Sequence, residues 1–308
     1  MSAPDLPPRP PDVPPEPVLR DGDVTLRPTT ADVRNVVSFI VEHGGLVAGA
    51  VEIRRKGNGN GEMSWAVHPD HRGHGVATRA LRLLIRYAFE ELGLHRVVSY
   101  TGSDNRAALR TAGRVGLRRE GIVRAAENRP GERRDQVQLA RVATDPEPTS
   151  RDGFIGVLNA GLPTKRVIAQ GLIRNNANEI LLCELTYKQE WDLPGGVVDP
   201  HESPAHAVIR EIREEMQVEV SPQTLVAVNW LPPWRGWDDA MLFVFDLGID
   251  DDVVTRARLE PREIQALHWC TLDRVERRSA PYVTRMVRRL AQQTDGTAYL
   301  EDGAEPLW

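Results

Sequence analysis

The chain of 308 residues has only two cysteines, Cys183 and Cys270. Two thiols are too few for a disulfide framework or a cysteine-rich metal site, which excludes the small disulfide-stapled secreted folds. No apolar run is long enough to cross a bilayer, and the N-terminus has neither the basic region nor the apolar core of a secretory signal. These absences predict a cytoplasmic protein without a membrane partner.

Lysine is scarce as well, with three among 39 basic residues. Residues 1–148 carry 22 Lys and Arg against 19 Asp and Glu, and the remainder carries 17 against 25, so the halves have formal charges of +3 and −8. Neither half has the positive charge density of a nucleic-acid-binding protein, so we expect no nucleic-acid partner. The length allows two domains with sizeable cores, and the oligomeric state stays open.

Proline marks the predicted domain boundaries. Eight of the first 18 residues are prolines, which is typical of a disordered or polyproline tail. A second stretch with prolines, residues 144–152, is typical of a linker. We therefore predict a first domain over 19–143 and a second over 153–308.

One stretch of the second half carries three closely spaced glutamates. Ser203 can cap a helix in which Pro204 takes the first position. Glu211, Glu214 and Glu215 fall three and four residues apart, so their carboxylates crowd one side of this helix. A solvated charged face would give the same pattern, whereas a bound Mg²⁺ or Mn²⁺ would remove the repulsion. The predicted buried stripe of the helix consists of Ala205, Val208, Ile209 and Ile212.

The spacing of this stretch resembles the Nudix box of hydrolases that act on nucleoside-diphosphate-linked substrates. The pattern begins at Gly196, continues through Glu202, and ends in the Arg-Glu and Glu-Glu pairs at 210–215. It departs at Gln217, where the family usually has glycine. The resemblance implies an α/β/α sandwich with Glu211, Glu214 and Glu215 as catalytic residues and ligands of Mg²⁺ or Mn²⁺.

The same resemblance implies roles for residues around the glutamates. Glu202 and Arg210 would hold the loop against the helix, and Gly195 and Gly196 would let the backbone approach the substrate. The general base stays open between a box glutamate and four later residues: Glu260, Glu263, Asp238 and Asp239. The candidates for stacking on a base are Trp191, Trp230, Trp234 and Trp237, of which Trp230 lies in an apolar strand.

A glycine-rich turn in the first half joins a predicted strand to a predicted helix. Arg72, Gly73 and Gly75 precede the helix, which should bury Ala77, Leu81, Leu84 and Ala88. Such a turn exposes backbone N–H groups and the positive end of the helix dipole, which suits a pyrophosphate. An ordinary tight turn is the alternative.

This turn resembles the acyl-CoA pyrophosphate loop of the GNAT acetyltransferases, and residues 105–121 resemble a later segment of their Rim-type branch. The resemblance implies a mixed sheet with helices. It also implies that CoA or acetyl-CoA is bound by Arg72, Gly73, Gly75, Ala77 and Asn105.

The first half departs from that family on its acceptor side. Only one short helix fits between Pro28 and Phe39, where the family usually has a pair of helices that builds the acceptor site. Ala112 stands where many members place a tyrosine thought to protonate the leaving thiolate, and Ala108 stands where the Rim-type branch commonly has serine. A glutamate on the strand before the loop, Glu62, is a candidate base.

These observations predict a two-domain α/β protein, with a shortened GNAT-like domain followed by a Nudix hydrolase acting on a small-molecule nucleotide. A nucleoside triphosphate, oxidised ones included, is the first substrate class, with ADP-ribose or a nucleotide sugar next. One alternative is a bifunctional acetyltransferase and hydrolase. Another is a sensor in which both clefts bind nucleotides without turnover.

Overall fold

The computed structural model describes residues 17–29, 35–293 and 295–306, and the chain divides into two compact units, 1–162 and 163–308. The predicted proline-rich tail lies almost wholly outside the described residues, as do residues 30–34 of the segment predicted to hold one short helix between Pro28 and Phe39. Across the described ranges, no helix is both long and apolar enough to cross a membrane.

The first unit is built on an eight-stranded mixed sheet. Its strands are β1 (Leu19–Asp21), β2 (Val24–Pro28), β3 (Val36–His43), β4 (Leu46–Gly57), β5 (Asn60–Val67), β6 (Arg96–Gly102), β7 (Arg118–Arg129) and β8 (Glu132–Val142). They lie in the order β1-β2-β3-β4-β5-β6-β8-β7, with β5 and β6 parallel and the other neighbours antiparallel. The strands predicted around residues 24–28, 39–53 and 61–67 are all present.

Among the described residues, three α-helices accompany this sheet: α1 (Val76–Glu90), α2 (Arg106–Arg114) and α3 (Arg151–Gly161). Helix α1 begins where the glycine-rich turn predicts a helix, and it buries Leu81, Leu84 and Ala88 as expected. Ala77 is only partly buried, because Val76 and Ala80 take its place in the core. Ala77 therefore lies at the edge of the helix face, close to the turn.

The boundary between the units lies later than the sequence predicts. Ser150 caps α3, its Oγ accepting a hydrogen bond from the Gly153 N–H at 3.1 Å. A Cβ on Gly153 would lie 2.0 Å from the Glu147 carbonyl oxygen, and one on Gly156 would lie 2.6 Å from the Arg118 guanidinium. Residues 144–162 thus belong to the first compact unit, whereas the sequence predicts a linker at 144–152.

The second unit is built on a seven-stranded mixed sheet. Its strands are β9 (Arg166–Arg174), β10 (Ile180–Leu185), β11 (Gly195–Val197), β12 (Thr224–Leu231), β13 (Ala240–Ile249), β14 (Ile264–Cys270) and β15 (Ala298–Glu301). The order is β14-β10-β9-β13-β12-β15, and β11 also pairs with β9. The pairs β9–β13 and β12–β15 are parallel.

Helices cover both faces of this second sheet. They are α4 (Pro204–Met216), α5 (Val253–Arg256), α6 (Leu272–Arg278) and α7 (Pro281–Ala291). Ala207, Val208 and Ile212 of α4 join one hydrophobic core, while Val283 and Met286 of α7 join the core on the other face. The α/β/α sandwich expected for this half is therefore confirmed.

A fragment comprising residues 163–308 should fold by itself and unfold in one cooperative transition, because it contains both cores of the second unit. A fragment beginning at Asp152 would carry α3 without its partner β7 and with exposed Phe154, Ile155 and Leu158, so it should aggregate more readily. Circular dichroism on heating and light scattering measure both properties. An unfolded 163–308 fragment would contradict the boundary.

Candidate functional site

Helix α4 positions the three glutamates that the sequence singles out. Ser203 Oγ accepts a hydrogen bond from the His206 N–H at 3.3 Å, and Pro204 takes the first helical position, as predicted. The helix ends at Gln217, which has a left-handed φ of 54° and donates its N–H to the Arg213 carbonyl. A conformation usually supplied by glycine is thus adopted by glutamine, and the helix still closes normally.

Burial along α4 differs from the predicted stripe. Val208 and Ile212 are fully buried as expected, whereas Ala205 and Ile209 are only partly buried. Glu215 continues the row at a spacing of three residues from Ile212, and it is 6% exposed. One of the three carboxylates therefore lies within the buried face of the helix.

The three glutamates line one cleft of about 710 Å³. Their depths differ, since the Glu211 side chain is 15% exposed and that of Glu214 is 59% exposed. The opposite wall is the loop Glu260-Pro261-Arg262-Glu263. Five glutamates and one arginine therefore face a single space.

The loop of residues 260–263 is fastened directly to α4. The Glu260 N–H donates to the Glu215 carbonyl oxygen at 2.8 Å, and the Thr186 N–H donates to the Glu263 carbonyl at 2.9 Å. The carboxyl group of Glu263 lies close enough to that of Glu215 to raise its pKa, and both line the cleft. Two of the four later acidic candidates, Glu260 and Glu263, thus reach the cleft.

The other two candidates lie elsewhere. Asp239 forms an ion pair with Lys165 and accepts a hydrogen bond from Trp230 Nε1 at 3.2 Å. Asp238 is not among the residues that line the cleft, and its carbonyl oxygen accepts a hydrogen bond from Arg166. Only Glu260 and Glu263 of these four candidates line the cleft, although the sequence does not distinguish them from Asp238 and Asp239.

The cleft holds more negative charge than its own cations balance. Burial, together with the hydrogen bond from Glu263 and the charge of Glu211, raises the pKa of Glu215 to about 8. Burial also raises the pKa of Glu211, although the Arg210 guanidinium opposes this. Neighbouring carboxyl groups away from water favour a state in which one of them holds a proton. A cation in this cleft would replace that proton.

Arg210 connects the box loop to the helix. Its guanidinium donates to both oxygens of Glu202, at 3.0 and 2.9 Å, and to the Val197 carbonyl at 3.0 Å. It also donates to Glu211 at 3.0 Å and to Glu214 at 3.1 Å. These bonds raise the pKa of Arg210 and lower that of Glu202. The loop-holding arrangement expected of Glu202 and Arg210 is present.

The two glycines before the helix allow a close approach of the backbone to the glutamates. Gly195 has a φ of 126°, and a Cβ there would lie 2.3 Å from the Ala169 carbonyl oxygen. A Cβ on Gly196 would lie 2.5 Å from the carboxyl carbon of Glu211. The Gly195 backbone also lies close enough to the Glu215 carboxylate to lower its pKa. These glycines therefore contact the carboxylates themselves.

Trp191 is not placed to bind a ligand, contrary to the sequence expectation. The residue is 5% exposed, and its indole stacks on His268 with ring centres 3.9 Å apart and planes 3° apart. The guanidiniums of Arg274 and Arg278 lie 5.1 and 5.0 Å from the ring centre. Both the depth of the ring and its neighbours exclude stacking on a base.

The donor set of the cleft suits a hard divalent cation. Carboxylate oxygens are the ligands that Mg²⁺ and Mn²⁺ prefer. The glutamates that line the cleft provide such oxygens. Within the described part of the chain, no three His, Cys, Asp or Glu side chains already form a coordination group.

A second cleft, of about 430 Å³, lies in the first unit. Its lining includes all the residues expected to bind CoA: Arg72, Gly73, Gly75, Ala77 and Asn105. Gly73 and Gly75 have left-handed φ values of 83° and 74°, and Gly75 precedes α1 without a side chain to cap its N–H groups. The start of α1 therefore presents uncapped backbone donors at the cleft.

Two of these residues have structural tasks as well. Arg72 Nε donates to the Val67 carbonyl at 2.9 Å, which fastens the turn to β5. Asn105 Oδ1 accepts a hydrogen bond from the Ala108 N–H at 3.1 Å and so caps α2. Ala112 is completely buried, so this position presents nothing to the cleft.

The cleft also contains residues that the sequence does not single out, namely Trp65, His71 and Arg114. His71 Nδ1 lies 3.1 Å from Nδ1 of His43, which β3 contributes from 28 residues earlier. No local pattern indicates such a contact, because it depends on how the sheet brings the two segments together.

Family models match both halves of the chain. Residues 23–118 match the acetyltransferase (GNAT) domain, and residues 164–290 match the NUDIX domain. The chain carries a GNAT domain followed by a NUDIX domain. The two resemblances read from the sequence are thereby confirmed.

Curated relatives match one half or the other. YnaD of Bacillus subtilis (strain 168), named as an uncharacterized N-acetyltransferase, is 31% identical over 61 residues, covering 20% of this chain and 36% of that protein. The 8-oxo-dGTP diphosphatase of Escherichia coli (strain K12) is 38% identical over 63 residues, covering 19% and 47%. YjhB of Bacillus subtilis (strain 168), provisionally named an ADP-ribose pyrophosphatase, is 37% identical over 68 residues, covering 22% and 32%. The chain spans less than half the length of each of these relatives.

Proposed function

We propose that the NUDIX domain hydrolyses a diphosphate bond in a nucleoside-diphosphate-linked substrate with the help of Mg²⁺ or Mn²⁺. The observation that carries this proposal is the carboxylate cleft, in which buried Glu215 lies with Glu211, Glu214 and Glu263. Such a concentration of carboxylates is costly without a cation. The names of the E. coli and YjhB relatives both denote diphosphate cleavage, which supports the reaction class.

The residues of the cleft have two kinds of role: some would bind the metal ion, and others orient those ligands. Glu211, Glu214 and Glu215 would hold the ion, which would neutralise phosphate oxygens and lower the pKa of the attacking water. Arg210 orients Glu211 and Glu214 through its two hydrogen bonds. The Gly195 backbone lies beside the Glu215 carboxylate.

We assign the general base to Glu263. Of the later acidic candidates it is the one whose side chain contacts Glu215, and it lies on the wall facing α4. Glu260 shares that wall, but its Oε1 accepts a hydrogen bond from the backbone N–H of Arg262 at 3.4 Å. A base on the facing wall can take a proton from a water held between the two walls.

The substrate class that we favour is a nucleoside triphosphate, including one with an oxidised base, ahead of ADP-ribose and nucleotide sugars. We expect the protein to act in the cytoplasm on small molecules. A panel of these three substrate classes, assayed for mononucleotide and phosphate with and without Mg²⁺, tests the proposal. Metal-dependent release of mononucleotide from one class supports it, whereas no cleavage of any class would favour a non-catalytic nucleotide sensor.

We propose that the GNAT domain binds CoA or acetyl-CoA in its cleft. Gly75→Ala should weaken binding about five- to ten-fold, because an alanine resists the left-handed φ of 74° that orients the donors at the start of α1. Gly93→Ala is the matched control, since Gly93 has a φ of 62° beyond the other end of α1 and the added Cβ also meets nothing. Calorimetric titration with acetyl-CoA measures both. Equal affinities of the two variants would contradict the assignment.

Acetyl transfer by this domain should be slow. Seven residues, 29–35, connect β2 to β3, which leaves no length for the usual pair of acceptor-site helices. An acceptor that is not held in line forfeits much of the proximity advantage, and buried Ala112 provides no proton donor. Brisk thiol release with an amine acceptor would instead favour a bifunctional enzyme.

A further inference from the structure

Three titratable side chains of the first unit form a row of polar contacts that ends at the cleft of the GNAT domain. Asp23 Oδ2 lies 3.0 Å from Nε2 of His43, and Nδ1 of His43 lies 3.1 Å from Nδ1 of His71. The three residues come from the start of β2, the end of β3 and the turn before α1. His71 lines the cleft, together with Arg72 and Gly75 of the same turn.

Asp23 is held in its ionised form. The guanidinium of Arg79, near the start of α1, pairs with Asp23, and the hydrogen bond from Arg79 lowers the pKa of Asp23. A ring nitrogen 3.0 Å from an ionised carboxylate oxygen carries a hydrogen, because a bare nitrogen would bring two lone pairs together. A neutral His43 therefore has its hydrogen on Nε2 and its lone pair on Nδ1. Exposed His74 lies further off, with its ring centre 6.1 Å from that of His43.

The number of protons on the histidine pair decides what His71 offers to the cleft. When both rings are neutral, the hydrogen between the two Nδ1 atoms belongs to His71, so its Nε2 is a bare acceptor. When the pair holds one more proton, Nε2 of His71 carries a hydrogen, whichever Nδ1 atom holds the shared one. Among the described residues, none forms a hydrogen bond with this Nε2. The nitrogen is therefore left for a ligand, as an acceptor or as a charged donor.

We propose that His71 is a proton-coupled contact for the diphosphate of CoA, with His43 and Asp23 as the residues that position it. The proposal rests on the CoA binding proposed above and adds a residue that recognises the diphosphate. A bare Nε2 would repel a phosphate oxygen, whereas the cationic pair donates a charge-assisted hydrogen bond to it. Binding should therefore draw a proton from solution onto the pair. The cations Arg72 and Arg114 line the same cleft, but arginine takes up no further proton.

Calorimetric titration of the full chain with CoA, in two buffers of different ionisation enthalpy, counts the protons that accompany binding. At about pH 7 the wild type should take up about one-half to one proton more per CoA than His71→Gln does. At about pH 6 the wild type should bind CoA about ten-fold more tightly than His71→Gln. This advantage should shrink as the pH rises, because the charged donor is lost.

Two further variants separate positioning from general effects of losing a histidine. His43→Gln should lower the proton uptake although it leaves the imidazole of His71 in place, a result that a merely structural role would not give. His68→Gln is the matched control, because the His68 side chain is 62% exposed three residues before His71 and does not line the cleft. It should take up protons as the wild type does.

Dephospho-CoA, which keeps the diphosphate and lacks the 3′-phosphate, identifies the phosphate that His71 contacts. The difference in proton uptake between the wild type and His71→Gln should persist with this ligand. Equal uptake by the two proteins, or a difference that requires the 3′-phosphate, would overturn the contact and leave the CoA-binding function standing. A wild type that binds no CoA at all would overturn both.

Discussion

Glu215→Gln should lower diphosphate hydrolysis by more than 100-fold and leave the fold intact. Removing even an outer partner of a metal ligand typically costs about 10- to 100-fold, and a direct ligand should cost more. The amide can still donate a hydrogen bond to Glu263, and it carries no charge to desolvate at a position that is 6% exposed. Steady-state rates at saturating Mg²⁺, with circular dichroism as the check on folding, measure both parts.

Glu219→Gln provides the matched control, because Glu219 is exposed and lies just beyond the end of α4. The same change of charge there should leave the rate within about two-fold. Wild-type turnover in Glu215→Gln would show that Glu215 is not a metal ligand. An equal loss of hydrolysis rate in both variants would show that the effect comes from the change in net charge.

Without a divalent cation, the protein should lose stability as the pH rises from about 5 to about 8. The pKa of Glu215 is raised to about 8 in the folded protein from an ordinary value of 4.5, so the folded state keeps a proton that the unfolded state releases in this interval. The stabilisation of the folded state that this proton contributes is fully present below about pH 4.5. It is lost as the pH rises through the pKa of Glu215 in the folded protein. The loss is on the order of 3–5 kcal/mol at 1.36 kcal/mol per pKa unit.

Thermal unfolding across this pH range, in EDTA and in Mg²⁺, measures the loss. Mg²⁺ should restore stability most at the alkaline end, because the ion replaces the proton between Glu215 and Glu263. Glu215→Gln should flatten the pH dependence in EDTA. A wild-type stability that rises with pH over this interval would contradict the buried, protonated state of Glu215.

Local signals in the sequence predict much of the second unit because they are encoded within a few residues. Ser203 and Pro204 fix the start of α4, and β9 spans residues 166–174 as its apolar run indicates. The burial of Glu215 was also available from spacing, since it follows Val208 and Ile212 at helical intervals.

Other features depend on contacts between distant segments. Glu263 lies near Glu215, from which it is separated by 48 positions in sequence, so no local pattern distinguishes it from Asp239. Likewise, His268 of β14 stacks on Trp191, and no local pattern indicates that this indole is buried. The predicted boundary between the domains differs from that between the compact units for a related reason. The proline-containing stretch near residue 148 is the turn before α3, and only the packing of α3 on β7 shows to which unit it belongs.

We propose that the carboxylate cleft around Glu215 holds the divalent ion. Titration of the full chain with Mn²⁺, followed by electron paramagnetic resonance of the free ion, tests it most directly. We predict saturable Mn²⁺ binding that Mg²⁺ displaces, weakened at least ten-fold in Glu215→Gln and unchanged in Glu219→Gln. Mn²⁺ affinity that is the same in the wild type and in Glu215→Gln would contradict the claim.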